Sequence, residues 1–452
     1  MRVALLAALA LATPAAALPV AEARAILKEA VEVPTVEGRG QVPVLAEKLR
    51  ARLIAAGFAP ADVTVEKIEG EAILSARYRG TGGARPIAVI GHLDVVAADP
   101  KDWTRDPFKL VEENGYLFGR GVYDDKFNVS MIVATLIEMK RTGFKPKRDI
   151  ILYLSGDEEV AGKTSAAQAA QAKAAGVEFV LNGDSGGGLL AADGTPTEYS
   201  LSAAEKTYAD FAATVTNPGG HSSLPTTPNA IVQLAAATQR MAAYQFPAQV
   251  NEITRASLKA AGIKRGGAIG AALVAFAANP GDAAAIATLR ANPETIGQIG
   301  TTCVPTMITG GHAPNALPQR VTVTINCRIF PGTSIEDVRK TLVAAAAEPA
   351  VTIAQTQAFT SSPPSPLRPD VVAAVDRAVT ARFPGFKVVP GMDAGASDSV
   401  FYRSVGIPSY GVSGMFIKGS DVFIHGLNER VPVSAIEPAL AHWRSLLTDL
   451  TK

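Results

Sequence analysis

Residues 152–162, LYLSGDEEVAG, place Asp157, Glu158 and Glu159 in a row directly after an apolar run. Three like charges ending a strand-like segment either fan out into water or surround something positive. Other chemically capable residues share that setting. His92 follows IAVIG, Asp184 follows VLNG, and Asp124-Asp125-Lys126 lie in GRGVYDDKFN. In an extended segment residues i and i+2 share a face, so His92 and Asp94 point the same way. A ligating imidazole commonly donates its other ring N–H to a carboxylate, and Asp94 is placed for that. Alone, H-x-D is a common pairing and the D-D-K run reads as a solvated turn. The chain has five His. His92, His221, His312 and His425 lie beside Gly in turn-like contexts, and His312 reads as a loop residue. His442, in LAHWRSLL, reads as a helix-surface or packing residue.

These groups need elements that bring them together. PIAVIGHLDVV, DIILYLSGDEE, EFVLNGDSGGG and IPSYGVSG are short runs rich in branched residues, separated by helical stretches such as NVSMIVATLIEMKRTG and SAAQAAQAKAAG. Continuous apolar strands alternating with helices predict an α/β fold, a mostly parallel sheet covered on both faces. His92, Glu158, Glu159 and Asp184 would then sit just past the carboxyl ends of parallel strands, which converge on one crevice. Two His and several carboxylates gathered there are the donors expected for zinc or a similar divalent ion.

From about residue 207 the pattern changes. TYADFAATVTN, VTVTINCRIF and VTIAQTQ alternate like strands with one exposed face, with helical PNAIVQLAAATQRM and TSIEDVRKTLVAAAA between them. This predicts an inserted β-α-β-β-α-β (ferredoxin-like) domain over 207–360, itself carrying a mainly helical insertion at about 245–300. The flanking segments, 18–206 and 361–452, form the parallel-sheet domain, and FTSSPPSPLRPD reads as the linker back to it. Capping boxes are expected at Thr333 with Glu336 and at Ser434 with Glu437.

Composition excludes several classes of partner. With 43 basic against 42 acidic residues there is no electrostatic footprint for nucleic acid or an anionic membrane. A hydrophobic content of 48% over 452 residues describes a globular protein of two or three domains. Residues 1–17, MRVALLAALALATPAAA, have the layout of a secretory signal peptide with an A-x-A-like site, which predicts a periplasmic or secreted protein. No later segment is long and apolar enough to span a bilayer. An oxidising compartment permits a disulfide between the two Cys, Cys303 and Cys327, but each also fits as a small buried hydrophobe.

GHLDVV, W(x)2DPF, GRGVYDDK, SGDEE, NPGGHSSLP, NALP, CRIFPG and IHGLNE occur in the order found in the M20 family of metallopeptidases, and the chain resembles that family over nearly its whole length after residue 17. The resemblance implies two zinc ions, with Co²⁺ or Mn²⁺ as substitutes. His92 and Asp184 would hold one, Glu159 and His425 the other, and Asp124 would bridge them through a residue whose peptide bond to Asp125 is cis. Glu158 would be the general base and Asp94 the partner of His92. From the inserted lid domain, His221 would polarise the scissile carbonyl, often across a homodimer interface. Asn315 and Arg328 would help hold the substrate and its carboxylate.

The chemistry agrees with those roles. Glu158, next to a ligand but not coordinating, can move a proton from water to a leaving nitrogen. Arg328 has the fork geometry that recognises a carboxylate bidentately, although an Arg on a strand is also an ordinary surface residue. Phe127 stands where the family commonly has Gly, and GASD at 395–398 replaces the more frequent G-G-T-D. The implied activity is hydrolysis of an amide bond next to a free carboxylate, of carboxypeptidase or dipeptidase type, on a small peptide. An N-acyl amino acid hydrolase (aminoacylase) is the alternative. A non-catalytic binding protein on the same fold would have lost a ligand or the base, and all of them are present. Two His among the ligands disfavour a calcium-type site.

Overall fold

The computed structural model describes residues 18–452. The expected signal peptide, 1–17, lies outside the described residues. Two sheets dominate. The larger has ten strands, in the order Val63–Ile68, Glu71–Tyr78, Arg148–Ser155, Ala84–His92, Val180–Asn182, Ser409–Gly411, Pro196–Glu205, Gly187–Leu190 and Phe416–Lys418, with Val389–Asp393 paired to Pro196–Glu205 off this path. Its centre, Arg148–Ser155 through Ser409–Gly411, is parallel, and antiparallel strands flank it.

The strand Ala84–His92 shows why the centre reads as one apolar run. Ile87 and Val89 join the main core, which also takes in the helices Lys126–Arg141 and Ile436–Thr451. Ala88 and Ile90 face the other side, against Ala169 and Ala172 of Lys163–Ala174 and against Tyr402. Both faces are covered, so alternation disappears.

The second sheet has four antiparallel strands in the order Thr302–Gly310, Arg320–Ile329, Thr207–Thr216 and Thr352–Gln355. The helices Ala230–Ala243 and Ile335–Ala346 cover one face. Along Arg320–Ile329 residues alternate between buried and partly exposed, which is the one-sided pattern of an antiparallel sheet. The chain crosses between the sheets at Glu205–Thr207. Helices Glu252–Arg265, Gly267–Ala278, Ala283–Arg290 and Pro293–Ile296 build a small core of their own around Phe276 and Leu289. The first of them lies against Val389–Asp393 and sends Ile253 into the main core.

Two helix caps differ from the expectation. Helix Ile335–Ala346 is capped one residue later than expected: Ser334, in extended conformation, accepts from the Asp337 N–H at 3.0 Å. The neighbouring Thr333 instead accepts from Gln249 Nε2. Ser434 caps nothing, because Val433–Ala435 forms a 3₁₀ turn and Ala435, with no side-chain acceptor, takes the N-cap position. In the Pro/Ser-rich segment Ser365 is buried, its N–H donating to Ala203 O and its hydroxyl to Ser409 O. Cys303 and Cys327 face each other across adjacent strands and form a disulfide, with Cα atoms 4.1 Å apart.

Candidate metal centre

The parallel strands deliver their charged residues to one edge. His92 ends its strand with 1% exposure. Its Nε2 lies 2.8 Å from Asp124 Oδ1 and 3.6 Å from Asp184 Oδ1. Its Nδ1 lies 3.1 Å from the Asp94 backbone oxygen and 3.4 Å from the Asp94 carboxylate. That carboxylate also accepts from the N–H groups of Glu158 and Glu159, at 3.2 and 3.0 Å. Asp94 therefore ties the imidazole to the neighbouring acidic turn. Behind it, Asp157 accepts from the N–H groups of Lys163 and Thr164 and from the Thr164 hydroxyl, anchoring the start of helix Lys163–Ala174.

Asp124 lies between the two histidines. Its other oxygen is 3.2 Å from His425 Nε2, which is 2.9 Å from Glu159 Oε1. The Asp124–Asp125 peptide is cis. Asp125 is buried, accepting from Asn128 Nδ2 and the His92 N–H. Gly91 permits this approach, since a Cβ there would stand 2.5 Å from the Asp125 carboxylate.

Sequence reasoning missed the group that shapes this loop. Glu429 is 1% exposed and accepts from the N–H groups of Gly121, Tyr123 and Asp124, at 2.9, 2.7 and 3.1 Å. It also pairs with Arg120 at 2.7 Å, and Arg120 donates onward to the carbonyls of His425 and Gly426. One ion pair thus supports the segments carrying Asp124 and His425. The only signal available was Glu429 itself, four residues after His425.

The electrostatics are those of an under-compensated acidic site. Burial, followed by repulsion from neighbouring carboxylates, raises Glu158 and Asp184 well above the usual carboxylate range. Burial also pushes Asp125 up to about 8. Burial would raise Asp124 too, but hydrogen bonds from His425 and His92 outweigh it and hold that carboxyl low. His425, beside Asp124 and Glu159, is raised to about 10. Three sets of donor atoms converge within 4.8 Å: His92, Glu158 and Glu159; His92, Asp125 and Asp184; Asp124, Glu159 and His425. Imidazoles set among carboxylates that repel one another are a donor set that fits divalent ions. Proximity does not separate Glu158 from the ligands, because its carboxylate falls within one of those sets.

A cavity of about 470 Å³ opens on Asp124, Glu158, Glu159, Asp184 and His425 and continues to Glu205 and Asp393. The other expected site residues lie elsewhere. His221 sits on a two-stranded arm, Gly220–His221 with Ala316–Leu317, its Nδ1 2.7 Å from Ser223 Oγ. Asn315 adjoins the same arm, its carbonyl accepting from Ser222 N–H. The Arg328 guanidinium lies 4.7 Å from the centre of the Tyr208 ring. None of the three lines the cavity within this single chain.

Carboxylates gathered around the buried His92 and the exposed His425, opening on a cavity at the carboxyl edge of a largely parallel sheet, fit a metal-dependent hydrolase of α/β fold. The chain belongs to peptidase family M20/M25/M40, whose model matches residues 88–449. N-fatty-acyl-amino acid synthase/hydrolase PM20D1 of Xenopus tropicalis is 30% identical over 365 residues, covering 78% of this chain and 70% of that protein. Probable carboxypeptidase S-like 2 of Dictyostelium discoideum is 25% identical over 379 residues, covering 81% and 72%. Among solved structures, the M20 family metallo-carboxypeptidase Sso-CP2 from Sulfolobus solfataricus superposes with a TM-score of 0.72, over 94% of this chain and 98% of that one. Its 17% identity makes that a likeness of fold.

Proposed function

We propose that the protein hydrolyses an amide bond next to a free carboxylate, using two divalent ions, zinc in the first instance. The observation that carries this reading is Asp124 lying between His92 and His425 with Glu158 beside them. His92 and Asp184 would hold one ion, Glu159 and His425 the other, and Asp124 both. Bound divalent ions would lower the pKa of water and polarise a carbonyl.

The protein's own groups supply the rest. Glu158, raised by its surroundings, takes a proton from the attacking water and gives it to the leaving nitrogen. Asp94 acts as a positioning residue, holding the Glu158–Glu159 turn and His92 in one frame. Arg328 and Asn315 hold the substrate carboxylate, and His221 donates to the developing oxyanion. Their position away from the cavity favours a dimer in which the arm carrying His221 serves the partner's site. The leader-like residues 1–17 and the disulfide support an exported protein.

Carboxypeptidase or dipeptidase action is the first reading. The extended similarity to PM20D1 favours a second, an N-acyl amino acid hydrolase. The test is metal content together with hydrolysis of dipeptides and N-acyl amino acids, comparing the wild type with Glu158→Ala. Two ions per chain and a variant slowed by about 10²-fold or more are expected. A fully active variant, or a protein that binds no divalent metal, would sink the mechanism.

A further inference from the structure

Besides the residues around His425, the cavity lining includes a second group of charges, Glu205 and Asp393. Glu205 and Asp393 are the last residues of two parallel strands and stand opposite each other in register. A β-bulge between Gly391 and Met392 shifts that register just before Asp393. Helix Glu252–Arg265 packs across the same strand and fixes it.

Both carboxyls line the cavity. Glu205, 1% exposed, accepts from Arg403 Nη1 at 2.6 Å and from the Ser397 hydroxyl. The Ser202 hydroxyl, beside Asp393, donates to Ala204 O at 3.4 Å. Arg403 spends its remaining donors on Ser365 and the Ser409 carbonyl. Glu198, farther out, faces Lys264 at 3.4 Å. Two carboxyls therefore share one guanidinium, and burial raises both. Leu189, Met415 and Ile417 supply apolar lining of the same cavity.

This arrangement suits a carbon skeleton that carries a positive charge. A long acyl chain driven into this end would strip water from the carboxyls and return no hydrogen bond. An ammonium would give them charge-assisted ones. The reading rests on the amide-hydrolase function proposed above, in which Arg328, outside this cavity, holds the leaving amino acid and leaves this end to the acyl portion. We propose that Asp393 and Glu205 form a cation-recognising subsite that selects substrates bearing an ammonium group on the acyl side of the scissile bond, free-amine dipeptides before N-fatty-acyl amino acids.

The test uses two ligands of nearly equal shape, alanyl-leucine and isobutyryl-leucine, in which a methyl replaces the ammonium. Calorimetry on zinc-loaded Glu158→Ala measures binding without turnover, and kcat/KM is measured on the wild type. Alanyl-leucine is expected to bind about tenfold more tightly or better, the size of one charge-assisted hydrogen bond. Adding Asp393→Asn should erase that ratio, and on the active enzyme it should do so through KM with kcat little changed. A melting curve confirms that the variant is folded. Equal affinities, no saturable binding of either ligand, or a ratio that survives Asp393→Asn overturns the subsite. Discrimination in binding with no hydrolysis of either ligand would instead overturn the hydrolase reading and leave the subsite standing.

Discussion

The Glu429 carboxylate meets the Arg120 guanidinium at 2.7 Å, with both side chains almost wholly buried. The pair is joined to the metal-site loops through backbone groups alone: three N–H groups of residues 121–124 on one side, the carbonyls of His425 and Gly426 on the other. Charge is therefore used to set the course of the chain around Asp124 and His425. Glu429→Gln keeps the shape but weakens every one of these bonds. Metal affinity, measured by competition with a chelator, should fall roughly 10- to 100-fold. Glu429→Ala should be worse, since it leaves Arg120 buried without its partner at a cost of about 3–5 kcal/mol. Wild-type affinity in Glu429→Gln would mean that the loop holds its course without the charge.

His442 gives a stability change with a defined sign. It is 4% exposed, and burial, with Arg382 nearby, lowers its pKa from 6.5 to about 4. Its Nε2 lies 3.0 Å from Val412 O, and the Tyr199 hydroxyl is 3.3 Å away. The folded protein keeps the ring neutral where the unfolded chain takes up a proton. This contribution is present in full above about pH 6.5, is lost as pH falls toward about 4, and changes no further below that. The loss should be about 3 kcal/mol at most. Urea unfolding between pH 4 and 7 should show a shallower slope in His442→Gln than in the wild type. Identical slopes would assign the acid sensitivity to other groups.

The disulfide joins the edge strand Thr302–Gly310 to Arg320–Ile329, one residue before Arg328. It closes a chain segment with a sequence separation of 24. Replacing both residues, Cys303→Ser with Cys327→Ser, should destabilise the protein by about 3 kcal/mol through the unfolded chain. Metal content should be unchanged, because the candidate ligands gather at the edge of the other sheet. Denaturation followed in parallel with metal analysis checks both halves. Loss of metal from a folded double variant would reveal a coupling between the sheets.

The sequence made legible the parts that depend on local order. An apolar run followed at once by His or a carboxylate marks a strand and its charged end together: Glu158, Glu159 and Asp184 line one cavity, and His92 Nε2 lies 3.6 Å from Asp184 Oδ1. Asp157, the third carboxylate of that run, supports the turn through hydrogen bonds to backbone N–H groups. Residues that act through distant backbone stayed hidden. No spacing rule ties Glu429 to the amides of Gly121 and Tyr123, or Glu205 to Arg403. Local rules also failed where two candidates adjoin, as with Thr333 beside Ser334. They failed again where a 3₁₀ turn takes the place of the first helical turn, as at Ser434.

Whether His221 works in its own subunit can be decided by mixing two inactive variants. Within one chain its ring is exposed, bonded only to Ser223, and away from the cavity. If the arm reaches the partner's site, Glu158→Ala and His221→Ala each lack one component at every site. A mixed dimer then combines an intact Glu158 from one subunit with an intact His221 from the other at one of its two sites. Random re-association should restore up to about a quarter of wild-type activity, since half of the dimers are mixed. Recovery should track the fraction of mixed dimers measured by mass. No recovery, with mixed dimers present, would place His221 in its own subunit and require the arm to swing over the cavity. A strictly monomeric protein in gel filtration would force the same conclusion.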